Sequence, residues 1–176
     1  MAHSIVPLEK EYERLRNVLL ELPGVELGSR FGGEAFFFRK RFFCHFHRGS
    51  VLLLETFVWD KVDEVVGSIM GVVPHPQYGN YGWVRLRISS SEDFGKAKEL
   101  IESSYRNMIS TRRISLPKTE RMKRAVKEAA KDFPRIHFKM KASLKRTQVV
   151  MEVRQFKDTK EAETQLKQAA AYLRKF

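Results

Sequence analysis

Apolar residues recur at steps of four and three at the start of the chain: Leu8, Tyr12, Leu15, Leu19 and Leu22. One stripe at this spacing predicts an amphipathic helix over residues 7–22, with Pro7 in its first turn and Pro23-Gly24 as its stop. Gly28 and Gly32-Gly33 mark turns that frame a short strand over 29–31. The period then shortens. Residues 35–40, 42–47 and 51–58 read as strands, with Arg48-Gly49-Ser50 as the hairpin turn between the last two. Plain alternation puts Phe42, Cys44 and Phe46 on one face, and Phe43, His45 and His47 on the other. Both faces are substantially apolar, so the second must be covered or serve as a binding surface.

The helical period returns at 60–70, with Asp60 as N-cap and Val62, Val65, Val66 and Ile69 turned inward. Residues 71–82 read as a loop, and 83–88 as a strand with Trp83, Arg85 and Arg87 on one side. Ser90 or Ser91 caps a helix to about residue 109, with Phe94, Ala97, Leu100, Ile101, Tyr105 and Met108 as its apolar stripe. A boundary is expected at 112–116, followed by a helix opening at Pro117 and ending near 132. Met122, Ala125, Val126, Ala129 and Phe133 face inward on it, while Lys123, Lys127 and Lys131 form a ridge at steps of four. Ile136, Phe138, Met140 and Ala142 alternate with polar residues as in a half-buried strand. Lys145 and Arg146 occupy a turn, 149–156 returns as a strand, and Asp158 with Glu161 caps a last helix carrying Ala162, Leu166, Ala169, Ala170 and Leu173. The tail is thus expected to run α-β-β-α.

Charge changes this picture. The chain of 176 residues has 33 basic and 21 acidic side chains, a formal +12. Residues 1–111 hold 14 of each sign, so the whole excess lies in 112–176. A basic segment joined to a neutral one points to a polyanionic partner. The single Cys44 excludes an internal disulfide and a four-cysteine zinc site. No apolar run approaches the length of a membrane span and no signal peptide is visible, so a cytoplasmic protein without a membrane partner is expected.

The order of "LPGV", "FGGEAFFF", a hairpin, "YGNYGWVRLRI" and "LIESSYRNM" resembles the MmcQ/YjbR family over residues 7–110. The matching positions are Leu22, Pro23, Gly24, Phe31, Gly32, Trp83, Ser104, Tyr105 and Arg106. Where the family has a Lys- or His-rich loop before its Trp, this chain has Asn80-Tyr81-Gly82, and the basic tail lies outside the family core. The resemblance implies an α+β, two-layer fold with an antiparallel sheet, similar to secretion chaperones. It also implies a DNA-binding label, with no catalytic residues to carry over.

No chemistry converges by spacing alone. His45 and His47 share a strand face, but zinc needs a third ligand, and only loop residue His75 suggests itself. Cys44 reads as a buried small hydrophobe. The glycine clusters lack the setting of a phosphate loop. No metal, cofactor or catalytic residue is therefore expected. Trp83, Arg85 and Arg87 could stack a base or hold an anion, or form an internal cluster with Glu55 or Asp63. The expectation is a non-enzymatic nucleic-acid-binding protein, DNA ahead of RNA. Its contacts would come from Lys123, Lys127, Lys131, Lys139, Lys141, Lys145 and Arg146 gathered on one face, with Trp83, Arg85 and Arg87. The last helix faintly resembles that of double-stranded-RNA-binding domains, but a third strand is missing from the expected tail. The alternative is a protein- or peptide-binding module, or a homodimer, using an apolar sheet face.

Overall fold

A computed structural model describes residues 6–49, 51–117, 120–142 and 146–175. The chain divides into two compact units, Met1–Asn107 and Met108–Phe176. Both are α+β with antiparallel sheets. The first begins with α1 (Val6–Glu21), then β1 (Val25–Arg30), β2 (Gly33–Phe38), β3 (Arg41–Arg48) and β4 (Leu52–Phe57). After these come α2 (Val62–Ser68), β5 (Val72–Pro74), a 3-10 turn at Gly79–Tyr81, β6 (Trp83–Ile88) and α3 (Asp93–Ser110). The strands form a six-stranded sheet in the order β1-β2-β3-β4-β6-β5. The expected 71–82 loop therefore contains an edge strand. It is only three residues long and ends in Pro74, which an edge position tolerates.

One sheet face packs under α1 and α3. Tyr12 and Phe46 meet edge to face at 5.3 Å, as do Phe38 and Tyr105. Leu15, Leu19, Leu100 and Ile101 are fully buried there with Phe36, Leu54 and Leu86. Two side-chain hydroxyls tie helix to sheet: Thr56 Oγ1 donates to Ser104 Oγ at 2.6 Å, and Ser104 Oγ donates to the Phe57 carbonyl at 2.8 Å. The Tyr105 hydroxyl donates to the Pro23 carbonyl at 2.7 Å, anchoring the turn that ends α1.

Alternation in β3 is broken where the sequence gives no warning. Phe36 pairs with Cys44 and Phe37 with Phe42, leaving Phe43 as an extra residue in a β-bulge. Beyond it the parity flips. Phe42 therefore shares a face with His45 and His47, and Phe43, Cys44 and Phe46 are buried. This corrects the expected grouping of Phe42 with Cys44 and Phe46. Burial among apolar groups pushes the Cys44 thiol far above its ordinary value, so it stays protonated. Asp60 does not cap α2; Lys61 holds that position without a side-chain cap.

The second unit contains β7 (Thr111–Pro117), α4 (Glu120–Asp132), β8 (Ile136–Ala142), β9 (Arg146–Val153) and α5 (Thr159–Leu173), with strand order β7-β9-β8. The expected α-β-β-α tail is thus β-α-β-β-α. Residues 112–116, expected as a boundary, form most of a strand, and Pro117 ends that strand rather than opening α4. The apolar stripes of α4 and α5 close on one sheet face, burying Met122, Ala129, Leu166 and Leu173 with Ile136, Val149, Met151 and Val153. Asp158 caps α5, its Oδ1 accepting from the Glu161 amide at 2.8 Å, while Glu161 Oε2 accepts from the Lys157 amide.

Two two-residue hairpin loops have positive φ at both positions: Phe31 (54°) with Gly32 (78°), and Arg39 (52°) with Lys40 (62°). The second holds two bulky residues in a conformation that suits Asn and Gly, at a place where the residue pattern predicts a strand running through to Lys40. Replacing Arg39-Lys40 with Asn-Gly should raise stability by about 1 kcal/mol, measured by urea unfolding. Gly82 behaves in the opposite sense. Its φ is 93°, and a Cβ there would lie 2.2 Å from the Trp59 carbonyl oxygen. Gly82→Ala should cost at least about 2 kcal/mol in the same assay.

Candidate functional site

The β3–β4 hairpin places His45 directly opposite Glu55, and β6 places Arg85 opposite Glu55 on its other side. All three residues fall on the sheet face away from α1 and α3. The Glu55 carboxylate is 3% exposed and is hydrogen-bonded by three side chains, with a fourth close by. Oε2 lies 2.6 Å from His45 Nε2 and 3.1 Å from His47 Nε2. Oε1 accepts from Arg85 Nε at 2.6 Å and pairs with Nη2 at 2.5 Å. His75, just past β5, brings its Nε2 to 3.2 Å from the same oxygen. The His75 Nδ1 accepts the backbone N–H groups of Gln77 and Tyr78 at 3.1 and 3.0 Å. With Nδ1 accepting, the ring proton sits on Nε2, the nitrogen nearer Glu55.

Burial alone would raise the Glu55 pKa. Hydrogen bonds from His45 and Arg85, together with the nearby charge of Arg85, outweigh it and hold the group at about 2, against 4.5 ordinarily. The carboxylate is therefore ionised throughout the neutral range.

Aromatic rings wall the cluster. Phe42 lies 5.2 Å from His45 and 4.8 Å from Trp83 between ring centroids. Phe31 stands beside both Phe42 and His45 and is 72% exposed. The Arg30 guanidinium lies over Phe31 and Phe42. Tyr78 packs on His75, and the adjoining cleft of about 600 Å³ is lined by Trp59, Asp60, Asp63, His75, Gln77 and Asn80 among others. The His47 side chain is half exposed.

The structure distributes the residues singled out from sequence over separate places. Trp83, Arg85 and Arg87 do share one face, but Arg85 is committed to Glu55, and Arg87 is exposed farther along. In the second unit Lys139 and Lys141 are exposed on the sheet face opposite α4 and α5. Arg146 takes a register position on that same face, and Lys145 lies outside the described residues. Lys123, Lys127 and Lys131 are exposed on α4, with Lys131 paired to Glu128 at 3.1 Å. The expected single basic face is therefore two, on opposite sides of the unit. The helices pack by their apolar stripes, which sends the lysines of α4 outward and away from the open strands. Arg113, hidden in a segment whose sequence suggests a boundary, joins the sheet group: it stands opposite Val150, whose other neighbour is Lys139. Sequence reasoning also misses Glu55 as the centre of the histidine cluster, pointing to it only as a partner for arginine.

No protein-family model, curated protein or solved structure matches this chain. Among the described residues, no helix is long and apolar enough to cross a membrane.

Glu55 has a depressed pKa in the folded state, so its stabilising contribution is complete above its unfolded value of 4.5 and drains away as pH falls toward 2. Its full size is about 3 kcal/mol. Urea unfolding should show Glu55→Gln less stable than the native chain by about this much at pH 7, since Arg85 loses its charged partner. The gap should narrow below about pH 4.5 and close near pH 2. A gap that stays constant with pH would contradict the carboxylate's role.

Proposed function

We propose that the protein binds nucleic acid without catalysing a reaction, with phosphate contacts supplied by the second unit. The observation that carries this reading is the coincidence of charge with fold. The unit from Met108 to Phe176 contains 19 basic and 7 acidic residues, and the unit before it is neutral. Within the second unit, the sheet face not used for the helix core aligns Arg113, Lys139, Lys141 and Arg146 on adjacent strands, with His137 in the next row. Such a surface neutralises phosphates and displaces counterions, which gives affinity without reading bases. The resemblance of the first unit to the MmcQ/YjbR family, with a YjbR-like fold and a DNA-binding label, agrees with this reading. Strand β7 adds a third strand to the unit but precedes α4 rather than following β9, so RNA stays behind DNA and is tested in the same comparison.

A second reading, a protein- or peptide-binding module, draws on the first unit. Its open sheet face shows Phe31 largely exposed, with Phe37, Phe42, Phe57 and Trp83 partly so. Binding there would depend little on salt.

Fluorescence anisotropy with duplex DNA, single-stranded DNA and duplex RNA across a salt series tests the proposal. Micromolar affinity that falls steeply with salt is expected. Lys139→Glu with Lys141→Glu should weaken binding at least tenfold and flatten the salt slope by about 2, one for each phosphate no longer neutralised. Lys123→Ala with Lys127→Ala should have a smaller effect. Absence of binding at low salt would reject the nucleic-acid reading.

A further inference from the structure

Three of the chain's five histidines meet at one buried carboxylate. We infer that His45, His47 and Glu55 form a binding site for one divalent transition-metal ion of the zinc class. The proposed ligands are His45 Nε2, His47 Nε2 and Glu55 Oε2.

The geometry is close to what such an ion needs. The three ligand atoms lie within 4.8 Å of one another. At ligand distances of about 2.0–2.2 Å, a four-coordinate ion separates its ligands by about 3.3 Å. The His47–Glu55 separation of 3.1 Å already fits, and the His45–Glu55 separation of 2.6 Å has to widen by about 0.7 Å. Both rings present the same nitrogen to the same oxygen, so a cation can take the place of the two N–H protons between them. Each imidazole stays neutral by carrying its proton on Nδ1 instead.

The rest of the cluster acts on the other carboxylate oxygen. Arg85 holds Oε1, with His75 close by, which fixes the plane of the carboxylate and leaves Oε2 as a single ligand atom. Support of this kind orients metal ligands and is worth a large part of their affinity. His75 stands beside the site rather than among its ligands, because Gln77 and Tyr78 occupy its Nδ1 and leave the ring proton on Nε2, 3.2 Å from Glu55 Oε1. The imidazole and carboxylate donor set suits zinc or cobalt better than calcium or magnesium, which favour all-oxygen shells. Three protein ligands leave the fourth position for water or another small ligand, and the half-exposed His47 opens that position to solvent. The positive charge of Arg85 beside the site tempers affinity, so the ion should exchange with free metal.

The full chain, freed of metal with a chelator, would be titrated with Co²⁺ and then with Zn²⁺. One Co²⁺ per chain is expected, with the intense visible bands of a four-coordinate nitrogen–oxygen site, displaced by one equivalent of Zn²⁺. His47→Ala, at a half-exposed position, should still fold, with a modestly lower metal-free melting temperature for the lost hydrogen bond to Glu55, and should lower affinity at least about a hundredfold, more than loss of a supporting partner does. His47→Cys should restore binding and add a near-ultraviolet thiolate-to-cobalt charge-transfer band, which reads out that position directly. A native chain that takes up no stoichiometric Co²⁺ would overturn the assignment. So would binding that His47→Ala leaves unchanged, or a bound His47→Cys chain without the thiolate band.

Discussion

A carboxylate inside a β-sheet is costly unless nearly every lone pair is used, and Glu55 uses them by recruiting N–H groups from neighbouring strands, with the His75 imidazole of the adjacent loop 3.2 Å away. That requirement fixes much around it. The register of β3 with β4 must put His45 opposite Glu55, and the register of β4 with β6 must put Arg85 on its other side. The segment after β5 must fold back so that His75 arrives with its proton outward, which the tight turn through Gln77 and Tyr78 enforces. A slip of one residue in either pairing would send the partners to the opposite face and leave a charge buried alone.

The bulge at Phe43 belongs to the same arrangement. One inserted residue lets β3 give Phe43, Cys44 and Phe46 to the core under the helices and still place Phe42 beside His45 and Trp83. The ring of Phe42 shields the edge of the cluster from water, which strengthens each charge-assisted hydrogen bond in it. Packing on one face and electrostatics on the other thus depend on a single irregularity in one strand.

Helix positions are legible in the sequence because a period of 3.6 leaves a long record. The stripes of α4 and α5, from Met122 to Ala129 and from Leu166 to Leu173, are the residues buried in the second core. The β3–β4 hairpin is legible too, but counting outward from a turn at 48–50 puts Leu53 across from His45; the observed pairing of Arg48 with Leu52 shifts the register and brings Glu55 opposite instead. The bulge is not legible, because Phe at 42, 43 and 46 satisfies either parity equally well. Strand β7 escapes notice because Ile114 and Leu116 make a very short alternation, ended by Pro117 and overshadowed by the step in charge. The Arg39-Lys40 turn carries none of the Asn or Gly that marks such loops. The division of the basic residues between two sides follows from which face each element buries, and charge counting cannot reveal it.

The concentration of the whole formal charge of +12 in one unit has a thermodynamic consequence of its own. Like charges gathered on so small a body repel one another, and the repulsion is relieved when the chain expands. Dissolved ions screen that repulsion over roughly 10 Å at 0.1 M, so added salt favours the compact form of this unit. Salt also weakens the hold of a basic surface on a polyanion. Ionic strength therefore acts on the second unit in two opposed senses, firming its fold while weakening the phosphate contacts proposed for it. A bound polyanion would supply locally the neutralisation that bulk salt supplies generally, so that occupancy and folding stability rise together at low ionic strength.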